Sequence, residues 1–151
     1  MTSSILQGFR ILIVEDVAAT RRLIARLLGS LGCHHLFEAD GVESAWQYLN
    51  RQDLDLMLLD YELQDGTGVK LIRELRANAT SRSQALPTIM LTGHSEANIV
   101  EESICAGADS FLVKPVMPDK LGQRIQDVIS SRRSDIVRAA GRGPKTEVHW
   151  G

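Results

Sequence analysis

Apolar residues follow two rhythms along this chain, and the rhythms alternate. In Leu56-Met57-Leu58-Leu59 they run without a polar break, the pattern of a strand covered on both faces, and the run stops at a carboxylate, Asp60. Segment 10–16 (RILIVED) has the same form and ends in Glu15 and Asp16. Segment 86–93 (LPTIMLTG) is a third such run, opened by Pro87 where a missing N–H is tolerated. Shorter strand candidates are 34–39 (HHLFEA) and 110–115 (SFLVKP). Between the strands, apolar residues recur three and four positions apart: Leu23, Ile24, Leu27, Leu28 and Leu31; Val42, Ala45, Trp46 and Leu49; Val69, Ile72 and Leu75; and Leu121, Ile125, Val128 and Ile129. Each set predicts a helix with one buried stripe, as does segment 96–107, and Gly32 and Gly107 stand where two of these helices should end.

Five strands separated by helices imply right-handed crossovers. The expected fold is α/β, a doubly wound five-stranded parallel sheet with helices on both faces. Residues 1–8 read as a lead-in and 9–133 as the folded domain. Residues 134–151 read as a tail, because the periodicity lapses and Gly141, Gly143 and Pro144 appear. From residue 132 onward the tail carries Arg132, Arg133, Arg138, Arg142 and Lys145 against Asp135 and Glu147, so it is basic and is expected to be flexible or to contact a partner.

Composition narrows the class without changing the picture. A chain of 151 residues holds one domain with a real core, and 44% apolar with 24% charged residues is ordinary globular usage. A net charge of −2 supplies no general attraction to nucleic acid or anionic membrane, and neither is expected as a partner. Cys33 and Cys105 are far apart and lack a C-x-x-C spacing, which suits reduced thiols in a cytoplasmic protein; Cys105 is expected to be buried. The first residues lack the basic-then-apolar form of a signal peptide, and no apolar run is long enough to span a bilayer.

In a doubly wound sheet, ligands bind beyond the carboxyl ends of the strands. The residues placed there are Glu15 and Asp16, Asp60, Thr92 and Gly93, and Lys114. Three carboxylates brought together repel one another unless a cation joins them, and all-oxygen ligands suit a hard ion, Mg²⁺ before Zn²⁺. Lys114 can hold the oxygens of a phosphoryl group, Thr92 adds a hydroxyl, and Gly93 adds an unhindered backbone N–H. Together these are the parts for phosphoryl transfer onto a carboxylate.

The segments VED, LLDYELQDGTG, IMLTG and FLVKP, in that order, resemble the receiver domain (CheY-like) of bacterial two-component response regulators over roughly residues 9–131. The resemblance implies the flavodoxin-like strand order 2-1-3-4-5. It implies that Asp60 accepts a phosphoryl group from a phosphohistidine on a sensor histidine kinase or phosphotransfer protein. It further implies that Asp16, with Glu15 nearby or through water, binds Mg²⁺ or Mn²⁺ together with Asp60 and the backbone carbonyl of Glu62. By the same resemblance Lys114 pairs with the phosphoryl oxygens, the Lys114–Pro115 peptide is cis, Thr92 swings toward the phosphoryl group and Phe111 turns inward behind it. The surface of residues 96–133 would then change and meet a protein effector or a second copy, a homodimer that the tail could extend. Departures from the common pattern are Glu15-Asp16 for Asp-Asp, Gln64 where proline is frequent, and Phe111 for tyrosine.

Taken singly, each residue has an ordinary reading. A strand-end Asp is usually a turn former, Glu15 and Asp16 would cap the first helix, and Lys114 would be solvated. His34 and His35 read as surface or edge residues, Trp46 as core, and His94 as either a solvated loop residue or a neighbour of the phosphoryl group. Two other classes share the fold: a phosphatase of the haloacid dehalogenase type using Asp60 and Glu62, and an interaction module with no chemistry. The regulator itself could instead be a phosphate sink or a relay intermediate. About 20 residues after the last helix are too few for a helix-turn-helix, so transcriptional control by this chain itself is not expected.

Overall fold

The computed structural model describes residues 6–93 and 96–142, with side chains as far as Arg132. His94, and the part of the tail beyond Arg142, lie outside the described residues. Five strands form the sheet: β1 (Arg10–Val14), β2 (His35–Ala39), β3 (Leu56–Asp60), β4 (Thr88–Thr92) and β5 (Ser110–Val113). All pair in parallel in the order β2-β1-β3-β4-β5, as expected. The helices are α1 (Ala18–Ser30), α2 (Val42–Arg51), α3 (Gly68–Ala77), α4 (Ala97–Ala106) and α5 (Pro118–Arg142).

The absence of polar alternation in β1, β3 and β4 is explained by two cores, one on each face of the sheet. Ile11, Ile13, Leu58, Ile89, Leu91 and Leu112 pack under Ile24 and Leu28 of α1 and Leu121, Ile125 and Val128 of α5. Their alternates, Leu12, Val14, Met57, Leu59 and Met90, pack under Ala45 and Leu49 of α2, Val69, Ile72 and Leu75 of α3 and Ala106 of α4. All five residues of β3 and of β4 are buried, so Asp60 and Thr92 end their strands at the covered centre of the sheet. The edge strands β2 and β5 relax toward mixed burial, and His34 and His35 are exposed.

Four expectations need correction. Cys105 is exposed, because it lies on the solvent side of α4, whereas Cys33 is buried. Leu23 is exposed, since the stripe of α1 that reaches the sheet centres on Ile24 and Leu28. The first helix is not capped by Glu15 or Asp16: its N-cap is Val17, with no side-chain cap. Finally, α5 runs on to Arg142 rather than stopping at Arg133. An apolar stripe marks only the part of a helix that packs, and the stretch from Ser134 to Ala140 holds no Gly or Pro to weaken the helix beyond it. Trp46 is partly buried against the second core, close to its expected place. Among the described residues, no helix is long and apolar enough to cross a membrane.

Candidate functional site

The strand ends deliver the residues singled out above to one rim. Carboxylate oxygens of Glu15, Asp16 and Asp60 lie within 4.8 Å of one another. Glu15 is fully buried, Asp60 is 5% exposed, and Asp16 is half-buried. The ammonium of Lys114, reaching across from the end of β5, is 2.6 Å from Glu15 Oε1 and 3.1 Å from Asp60 Oδ2. Burial by itself pulls the Lys114 pKa down, but the hydrogen bonds to Glu15 and Asp60 and their charges outweigh it and raise the pKa, so the side chain is a cation at neutral pH.

Glu15 is held at both oxygens: Oε1 by Lys114 and Oε2 by the Val17 amide at 3.1 Å. Arg21 does not join the cluster, since its guanidinium is engaged by the Glu15 carbonyl oxygen at 2.7 Å and by Glu38 at 3.2 Å. Among the described residues, three carboxylates and one ammonium therefore leave two negative charges uncompensated, and the donors are oxygens only. That charge and that donor set fit a hard divalent cation such as Mg²⁺, which Asp16 and Asp60 are placed to hold.

Thr92 ends β4, buried at 1% exposure, and its carbonyl accepts from the Lys114 amide at 2.7 Å, which ties the end of β5 to the site. A Cβ at the adjacent Gly93 would meet open space. The Lys114–Pro115 peptide is cis. Met90 pairs with Phe111 and Thr92 with Val113, so Thr92 and Phe111 share one face of the sheet as diagonal neighbours. The Phe111 ring is partly buried against the second core, with the Arg124 guanidinium of α5 5.6 Å from its centroid.

The loop after Asp60 contains a small antiparallel hairpin in which Glu62 faces Thr67 and Leu63 faces Gly66. The Glu62 amide points toward Asp60 Oδ1 at 3.4 Å. Gly68 is required by space rather than by conformation: a Cβ there would fall on the Asp60 carbonyl oxygen. Two residues escaped the sequence reading. Tyr61 donates from its hydroxyl to Glu102 of α4 at 2.7 Å, a bond that raises its pKa. Asp65 accepts from the Val42 amide at 2.8 Å and the Glu43 amide at 3.2 Å, and the Val42 bond foremost holds its carboxylate below the usual range. A cue for Asp65 existed in Gly41: a helix whose N-cap carries no side-chain acceptor needs one from elsewhere.

Comparison with known proteins agrees with this geometry. Residues 11–126 match the family model of the response regulator receiver domain. The chain is 32% identical over 119 residues to the chemotaxis protein CheY of Pseudomonas aeruginosa, covering 79% of this chain and 94% of that protein. It is 35% identical over 120 residues to the phosphate regulon transcriptional regulatory protein PhoB of Escherichia coli, covering 80% of this chain but only 51% of that longer protein. Among solved structures, a CheY-like response regulator receiver domain protein from Methanospirillum hungatei superposes with a TM-score of 0.74 at 25% identity, over 84% of this chain and 98% of its own. A parallel sheet in the order 2-1-3-4-5, acids gathered at its carboxyl rim and a sequence match over most of the domain lead to one conclusion: the chain belongs to the receiver domain family of two-component response regulators, which are signalling domains rather than conventional enzymes.

Proposed function

We propose that in this protein Asp60 takes a phosphoryl group from the phosphohistidine of a sensor kinase or phosphotransfer protein. The observation that carries this reading is the charge balance at the rim, where three acids and one lysine are two positive charges short of neutral. An Asp60 oxygen attacks phosphorus, the P–N bond breaks, and its electron pair returns to the imidazole nitrogen. A cation bound at Asp16 and Asp60, with the Glu62 carbonyl and with Glu15 close by, would supply positive charge for the phosphoryl oxygens in the transition state. Lys114 contributes a second positive charge, and Thr92 and Gly93 complete the ring of donors. A role as phosphate sink or relay intermediate uses the same chemistry.

Incubation with acetyl phosphate and Mg²⁺ should add one phosphoryl group, read by intact mass. Chelation of the cation should suppress labelling by at least two orders of magnitude, because four negative groups cannot otherwise approach. Asp16→Ala should require far more Mg²⁺ for the same yield. Labelling that is indifferent to chelator would point to another ligand set.

Readout is proposed to run through Thr92 and Phe111. Movement of Thr92 toward the phosphoryl group vacates space on the face it shares with Phe111, and the shift reaches α4, β5 and α5, the surface we assign to an effector or a second copy. Lys114→Ala should leave cation binding within about threefold, since it supplies a point charge rather than a ligand. It should nevertheless abolish the change in hydrogen exchange over residues 96–132 that beryllofluoride produces in the wild type. A wild-type response confined to residues 9–60, or a mutant response equal to the wild type, would refute this route.

A further inference from the structure

The N-terminus of α2 is capped by a residue that belongs to another element. Asp65 lies in the loop between β3 and α3, yet its two carboxylate oxygens accept from Val42 and Glu43, the first amides of α2. The packing is shaped around this contact. A Cβ at Gly41 would sit 2.7 Å from Asp65 Oδ1, and Gly66, at φ +154°, leaves only 3.1 Å between a Cβ built on it and Val42 Cγ2. Local groups cap differently, since Ser44 Oγ accepts from the Asp40 and Gly41 amides and leaves those of Val42 and Glu43 to Asp65.

The same loop carries the groups next to the acceptor. Glu62 pairs with Thr67 and Leu63 with Gly66, so Asp65 stands beside the inner pair of a hairpin whose outer pair includes Glu62. The other end of the loop is pinned by the Gly68 amide on the Tyr61 carbonyl at 2.9 Å and by Thr67 Oγ1, which accepts from Lys70. The loop is thus fixed at its base by β3 and α3 and at its tip by α2. A two-residue ladder is too short to hold a shape by itself, and the Asp65 contact with α2 adds an anchor at the tip to those at the base.

We propose that Asp65 is a positioning residue: it holds the acceptor loop in the geometry that receives the cation and couples cation binding to the start of α2. The inference rests on the cation site proposed above. Because coupling is reciprocal, the bound cation must in turn tighten the Asp65 cap.

The test uses Mn²⁺ alone, with free ion counted by electron paramagnetic resonance, on the full chain and three variants. Asp65→Ala should weaken Mn²⁺ binding on the order of fivefold, while Asp65→Asn, whose amide oxygen still accepts from Val42, stays within about twofold. A cap that served only helix stability would lower the melting temperature of Asp65→Ala and leave Mn²⁺ affinity of the folded protein unchanged; that result overturns the coupling. Asp16→Ala separates the two levels, since Mn²⁺ binding indifferent to it overturns the cation site itself. Hydrogen exchange gives a second measurement that needs no variant. Mg²⁺ should slow exchange at the Val42 and Glu43 amides of the wild type, and no change there overturns the inference even where Asp65→Ala does not fold.

Discussion

Asp60→Asn is expected to take no label from acetyl phosphate, a fall of at least three orders of magnitude, while the fold stays intact. The amide is close to isosteric with the carboxylate but far weaker as a nucleophile. Its effect on stability should have the opposite sign to that of most buried substitutions. Asp60 is 5% exposed and faces two other carboxylates against one ammonium, so without a cation its charge is net repelled. The metal-free melting temperature of the variant should therefore equal or exceed that of the wild type. Full labelling of Asp60→Asn would move the acceptor elsewhere, and a collapse of stability would show that the Lys114 pair outweighs the repulsion.

Gly68→Ala should cause the largest loss of stability available from a single added methyl group near the site. The new Cβ would overlap the Asp60 carbonyl oxygen and come within 3.0 Å of Met90 Sδ and 3.1 Å of Leu59 Cγ. Met90 and Leu59 are fully buried, and backbone cannot rotate away as a side-chain tip can. The cost should be about 3 kcal/mol, at the upper end for overpacking, which lowers the melting temperature by roughly 10 °C. Relief requires α3 or the end of β3 to shift, so labelling of Asp60 should slow as well. A loss under about 1 kcal/mol in thermal melts would show that the loop yields freely there.

The two periodicities in the chain determined the elements, because each reports a face that must be covered. Leu56 to Leu59 and Ile11 to Val14 had no polar side, and only a sheet with helices on both faces buries such strands. Loose ends of that reading share one cause. Leu23 obeys the helical spacing yet is exposed, and Cys105 is apolar enough for a core yet faces solvent, because spacing identifies a helix but not which of its residues meets the sheet. The extent of α5 beyond Arg133 was likewise invisible to a pattern that registers packing alone.

The residues at the rim were legible for a topological reason: parallel strands put all their carboxyl ends on one side, so Asp16, Asp60, Thr92 and Lys114 had to come close whatever the detail of the loops. What the sequence by itself determined was thus the elements, their stacking and which residues reach the rim. Only the tertiary structure decided the pairings within it: that Lys114 sits closer to Glu15 than to Asp60, that Gly68 must be bare to clear a carbonyl, that Tyr61 reaches Glu102, and that Asp65 caps a helix 22 or 23 residues away in the chain. These depend on distances of a few tenths of an ångström between elements remote in sequence. Periodicity carries no information at that scale, because it is set by the local backbone repeat and not by how neighbouring elements come to rest against one another.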